Sequence, residues 1–330
     1  MKKARQYRLL KKRLDEYGLE RVFHHMGSLL KDIKVDSSEG VDITDRINQV
    51  GQDTMIKLLL GKALNDTNLF QQWFGNSFKV IKELDPNYGS KDDFYRELHV
   101  KMLAFIRSTP VGQALGDVEN KEELENELIH YVMWLSTGGI ELSFKSALNF
   151  FSNLDKEIQE EMTEEAEEFL DECEYKKNFK FYLKKKLPVI SRFALEAFRL
   201  EPAAANLRAQ ARKDFVVTSL NGRYLIKKGT YLQGNVLTIQ RNPEIFKDGT
   251  EFNIERNQRK VKRNFFTFGG PYYQRPKIRN RKCLGQELAI NFLKMFMLHI
   301  TQCEVEVDSI VSTSTGKTGE YIIKVNKFQC

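Results

Sequence analysis

Residues 279–296 read RNRKCLGQELAINFLKMF, with a cysteine set just before an amphipathic helical pattern. Backbone N–H groups and the helix dipole at such a position favour a thiolate at Cys283. Gly285, two residues on, removes a side chain and lets a bulky flat group approach the backbone. Arg281, two residues before, is placed for an anionic group near the same object. A thiolate that ligates haem iron needs all three features. An inert buried cysteine can also precede a helix, so this stretch alone leaves both readings open.

Upstream, Pro188 suits the first turn of a helix reading PVISRFALEAFRL. Glu196 and Arg199 are three residues apart and share a helix face. Their neighbours Phe193, Leu195, Phe198 and Leu200 point to burial. A buried pair needs further hydrogen bonds, and Arg256, in PEIFKDGTEFNIER, is the candidate third partner.

These pieces run in one order: an E-x-x-R helix, a short hairpin, N-P-E-x-F, E-F-x-x-E-R, then C-x-G opening a helix. That order resembles the C-terminal part of the cytochrome P450 family, with coverage from Lys121 onward. The resemblance implies a mainly α fold with small β-sheets, as one domain over 1–330. Residues 1–200 would be mainly helical, and 201–330 would hold the hairpins, haem-binding loop and C-terminal helix. It implies haem b as cofactor and Cys283 as its axial thiolate, the metal ligand. Glu196, Arg199 and Arg256 would be the structural triad behind the haem, Gly285 the close-approach residue and Arg281 a propionate partner.

The segment between Gly269 and Cys283 is longer than in ordinary members. It is similar to the G-P-x-x-x-x-P-x-x-x-N-K-x-C loop of the branch holding allene oxide synthases, hydroperoxide lyases, divinyl ether synthases and epoxyalcohol synthases. Residues 211–217 and 226–229 resemble that branch too. The branch rearranges fatty-acid hydroperoxides without dioxygen or a reductase, so the partner implied is a lipid hydroperoxide, with homolytic O–O scission at iron held by Cys283. A dioxygen- and reductase-dependent monooxygenase is the second reading, and an inactive truncated remnant the third.

Residues 121–154 read as the longest helix, with Gly138-Gly139-Ile140-Glu141-Leu142 inside it. Oxygen-activating members carry [AG]-G-x-[DE]-T there. The resemblance implies a catalytic pocket bordered by Gly138, Gly139 and Glu141, across the haem plane from Cys283. Leu142 replaces the proton-relay hydroxyl, which agrees with a peroxide-using enzyme. Ser143, Thr137 and Ser136 are the partial substitutes. The chain opens in what resembles the remainder of a propionate-contacting helix, with Lys2, Lys3 and Arg5 as its stub, so the family's N-terminal part is expected to be missing.

Composition sets the remaining bounds. The chain has 330 residues, 41% of them hydrophobic, and a net charge of +7, too small an excess to argue for nucleic acid. The resemblance implies that the basic cluster of 256–282 forms the haem's proximal face, where basic residues meet propionates or an acidic electron donor. No apolar run is long enough to span a membrane. The expected location is cytoplasmic or peripheral to a membrane. Four scattered cysteines without a CxxC indicate neither a disulfide framework nor a zinc ribbon.

Further helices are expected near 1–33, 42–64, 66–84 and 91–107, and an acidic then a basic solvated helix after residue 154. Strands are expected at 214–218 and 224–227, with a turn at 228–229 leading into 230–234 as a small hairpin. Residues 241–282 read as irregular, 284–301 as a helix, and 303–308 and 320–325 as terminal strands. His24 and His25 read as helix surface. The GKT at 316–318 lacks the upstream glycine of a P-loop and reads as a hairpin tip.

Overall fold

A computed structural model describes residues 18–64, 69, 72, 93–116, 118–136, 139–176, 179–219, 221–275, 282–312 and 321–330. The stub at Lys2, Lys3 and Arg5, the segment 66–84 apart from two positions, and the tip at 313–320 lie outside these residues. The described architecture is mainly α with small antiparallel sheets.

Helix α1 (Leu19–Lys31) follows Gly18, which takes a left-handed φ of 79°. Its buried stripe is Leu19, Val22, Phe23, Met26 and Leu30, the spacing of one helix face. Strand β1 (Val35–Asp42) leads to α2 (Thr44–Leu60), which ends on Gly61 in the αL conformation, its N–H on the Lys57 carbonyl. Next come α3 (Asp93–Arg107) and the single turn α4 (Pro110–Gln113), where Thr109 accepts the Gly112 N–H.

The expected 121–154 helix is two helices, α5 (Lys121–Ser136) and α6 (Ile140–Ser152), with Gly139 at the second one's N-cap. Paired glycines carry the highest backbone entropy and break where a leucine-rich sequence would continue. Then follow α7 (Lys156–Lys176), α8 (Phe179–Lys185) and α9 (Pro188–Leu200). Neither α7 nor α8 is merely solvated. Met162, Ala166 and Phe169 are buried on one, and Phe179, Tyr182 and Leu183 on the other. Glu165 of α7 also accepts the N–H groups of Val189 and Ile190, both at 2.8 Å, and so caps α9 from outside.

After α9 the strands are β2 (Asn206–Gln210), β3 (Phe215–Ser219), β4 (Gly222–Ile226) and β5 (Tyr231–Asn235). The hairpin is β3–β4; β5 pairs instead with β2, a strand the sequence reading did not include. The Lys228–Gly229 turn thus passes the chain between two ribbons. Short helices α10 (Val236–Gln240) and α11 (Gln258–Arg263) punctuate the irregular stretch. Helix α12 (Gln286–Ile300) precedes β6 (Glu304–Ser312) and β7 (Tyr321–Gln329). Strand β7 is central in a three-stranded sheet ordered β1-β7-β6, and β1 also went unread.

One contiguous core runs from Leu19 to Phe328, with α12 at its centre against α1, α6 and α9. Phe144 of α6 and Phe296 of α12 stack at 4.1 Å, both fully buried. Two further corrections concern side chains. Cys303 and Cys330 form a disulfide, because the β6–β7 pairing returns the last residue to the end of α12. His25 is not free surface: its Nε2 lies 3.1 Å from Asp53 and its Nδ1 3.0 Å from the Lys57 amine. No helix among the described residues is long and apolar enough to cross a membrane.

Candidate functional site

The structure brings Glu196, Arg199 and Arg256 into one cluster. Glu196 accepts from Arg199 Nε at 2.8 Å and Nη2 at 2.7 Å, from Arg256 Nε at 2.9 Å, and from the Asn253 N–H at 3.1 Å. Arg199 is fully buried and the Glu196 side chain is 2% exposed. Four donors on one carboxylate meet the condition under which a buried charge is tolerable. Arg199 also donates to the carbonyls of Gln240, Gly249 and Glu251, and its guanidinium lies 5.0 Å from the Phe246 ring centre. Gly249 is required there, since a Cβ would come within 2.4 Å of the Arg241 carbonyl oxygen.

A relay of hydrogen bonds joins this cluster to Cys283. Gln240, fully buried, donates to the Arg199 carbonyl at 2.8 Å, and its Oε1 accepts the Phe266 N–H at 2.9 Å. Thr267 donates its hydroxyl to the Phe198 carbonyl at 2.8 Å. One residue on, the Phe268 carbonyl accepts the Cys283 N–H at 2.8 Å. Gln240 was not anticipated from sequence, because a lone glutamine at the end of a short apolar run carries no pattern.

Cys283 is exposed and sits three residues before the first residue of α12, a helix that starts two residues later than the expected Leu284. The Gly285 N–H donates to its sulfur at 3.3 Å, and a Cβ on Gly285 would meet only that sulfur, at 3.8 Å. Lys282 before it is buried and donates to the carbonyls of Gly270 and Pro271 at 3.0 and 2.8 Å. Burial pushes the Lys282 ammonium down to about 8. This lysine closes the two ends of the long loop on each other. An outward soft thiol braced by a backbone N–H, with a side-chain-free neighbour, fits the donor that haem iron takes.

Tyr131 of α5 is buried, and burial first, then the nearby Cys283 sulfur, raises its hydroxyl above the usual phenol range. Tyr131 of α5 therefore lies within electrostatic reach of Cys283. Tyr131 is a residue that the sequence reading missed. A Cβ on Gly139 would meet nothing within 4 Å, so this glycine borders open space and is not a helix-packing contact. That contact falls to Gly51 of α2, against Ile140 and the Glu141 backbone. Glu141 accepts from the Gln52 side chain. Ser143 donates to the Gly139 carbonyl at 2.7 Å. Gly138, Thr137 and Arg281 lie outside the described residues, as does the Ser136 side chain.

The family model for cytochrome P450 matches residues 113–323. Among curated proteins, the chain is 25% identical over 226 residues to the chloroplastic fatty acid hydroperoxide lyase of Solanum lycopersicum, covering 66% of this chain and 46% of that one. It is 22% identical to the chloroplastic allene oxide synthase of Linum usitatissimum (68% and 42%) and 23% identical to a divinyl ether synthase of Selaginella moellendorffii (77% and 56%). The chain thus spans about half the length of these relatives or less. Among solved structures, a mutant cytochrome P450 haem domain aligns with TM-score 0.66 at 15% identity, over 100% of this chain and 73% of that one. A zebrafish cytochrome P450 solved with progesterone aligns with TM-score 0.68 at 16% identity, over 98% and 82%. At such identity these structures speak to the fold alone.

Proposed function

The chain belongs to the cytochrome P450 family, and from that premise we propose that it is a haem-thiolate enzyme rearranging fatty-acid hydroperoxides without dioxygen or a reductase. The similar relatives that convert hydroperoxides or make allene oxides and divinyl ethers support this reading. The observation that carries it is the state of the described hydroxyls around Glu141. Leu142 has none, and Ser143 spends its proton on the Gly139 carbonyl. The Ser146 hydroxyl lies 2.6 Å from the Glu201 carboxylate, one turn further along α6. A dioxygen-activating site needs a mobile proton beside the oxygen; a substrate that arrives as a peroxide does not.

Cys283 would hold a haem as its thiolate ligand, and the electron donation of that thiolate would favour O–O scission. The protein's part is placement. The Gly285 N–H points at the sulfur, and Phe268 fixes the backbone at Cys283. The relay through Gln240 keeps that backbone attached to the rigid Glu196–Arg199–Arg256 cluster. Gly139 leaves space for a substrate chain, and Tyr131 brings an un-ionised phenol near Cys283.

The test is to mix haem-loaded protein with a linoleate hydroperoxide and no NADPH. Loss of the conjugated-diene absorbance is expected, and the Cys283→Ser variant should lose both the thiolate-type spectrum and this activity. Turnover of unoxidised fatty acid only with NADPH and a reductase would instead favour the monooxygenase reading, for which the retained Glu141 speaks.

A further inference from the structure

Two adjoining cavities flank α11, and Cys283 lines neither. The first, about 320 Å³, is lined by Lys247, Arg256 and Lys260 together with Asp248 and Asn257. The second, about 620 Å³, is lined by Arg259, Lys260 and Arg263 with Asn257 and Asn264, and no acid borders it. Lys260 and Asn257 belong to both. We propose that the joined cavities bind a compact, multiply phosphorylated anion, either a free polyphosphate or the phosphorylated headgroup of a lipid.

The local sequence, RNQRKVKR over 256–263, explains the shape of the site. In a helix, positions 259, 260 and 263 share one side. Val261 turns inward at 1% exposure, and Lys262 leans away over the Tyr272 ring at 5.6 Å. Lys247, Arg259, Lys260 and Arg263 are exposed, and none has an ion-pair partner among the described residues. Four uncompensated cations around one concavity repel each other unless an anion collects them, and phosphate oxygens are the acceptors that lysine and arginine suit.

The floor is rigid. Arg256 is held by Glu196 and by the carbonyls of Lys247, Asp248 and Glu251, so the cavity wall is set before any ligand arrives. Asn257 spends its Oδ1 on the Lys260 N–H at 3.0 Å and keeps its amide N–H₂ as a donor. Both volumes fall in the range of small-ligand sites, about 300–1,000 Å³. A nucleic acid would call for a long basic stripe, and here the cations are gathered in one hollow. The inference stands apart from the proposed chemistry, which uses none of these residues except Arg256.

The experiment is calorimetric titration of the full chain with inorganic tripolyphosphate at low ionic strength. One saturable site is expected, weakened at least about tenfold, or about 1.4 kcal/mol, in the exposed double variant K260E/R263E. The charge-neutral variant K260Q/R263Q should weaken it less, and Lys228→Glu, a basic residue on the β4–β5 turn, should leave it unchanged. Phosphatidylcholine vesicles with and without phosphatidic acid separate the two sources. Capture by the acidic vesicles that tripolyphosphate reverses assigns a lipid headgroup; tripolyphosphate binding without capture assigns a free polyphosphate. Absence of binding at low ionic strength, equal weakening by Lys228→Glu, or vesicle capture indifferent to K260E/R263E would overturn the proposal.

Discussion

Arg199 carries more structural duty than any other side chain described. It satisfies half of the Glu196 carboxylate and three backbone carbonyls at once, from a position with no solvent access. Replacing it with methionine strips Glu196 Oε2 and the Gln240 and Gly249 carbonyls of their Arg199 donor in the interior, so stability should fall by about 3–5 kcal/mol in urea unfolding. Adding Glu196→Gln to that variant should cost less than the two single losses summed, because the carboxylate left with only part of its donors is gone. This cluster was legible because E-x-x-R spacing within an apolar helix admits few other uses. Gln240 and Tyr131 were not legible. Their roles arise from loops folding back on α9 and from α5 coming near Cys283, relations that no local spacing encodes.

At the scale of elements, His299 of α12 clasps α1. Its ring stacks on Phe23 at 4.0 Å, its Nε2 donates to the Phe23 carbonyl at 3.0 Å, and Gly27 leaves it room. A Cβ at position 27 would sit 2.5 Å from the ring. Burial first, then Lys31 and His24, drive the imidazolium down to about 4, against the bond to Phe23. The unfolded chain therefore binds a proton more readily. The stabilisation is complete above the ordinary histidine range near 6.5 and is lost as pH falls toward about 4. Between pH 7 and 5 the loss should be about 2 kcal/mol in urea midpoints, and His299→Phe should flatten that slope. Helix existence was readable from apolar periodicity along every described helix of seven residues or more, while the short α4, α10 and α11 went unread. Strand partnership was not: β1, only eight residues long, and β2 join strands far away in sequence, and their exposed polar positions hide the alternation.

For the whole molecule, the Cys303–Cys330 bond closes the C-terminal strand onto the end of α12, a loop with a sequence separation of 27. Chain-entropy reasoning gives such a loop about 3–4 kcal/mol. Dithiothreitol should lower the thermal midpoint of the native protein and leave that of Cys330→Ser unchanged. Spacing rules for cysteine look for CxxC pairs and dense frameworks, so a single clasp formed by two strands meeting was invisible to them. The irregular stretch from Gln240 to Arg256 offers a last consequence. Its carbonyls at Gln240, Lys247, Asp248, Gly249 and Glu251 are gathered by just two guanidinium groups, one rooted in a helix and one at its own end. A segment stitched that way has no ladder to unzip. Its amides should exchange with deuterium together with those of α9, in one cooperative opening, and much more slowly than their loop-like appearance suggests.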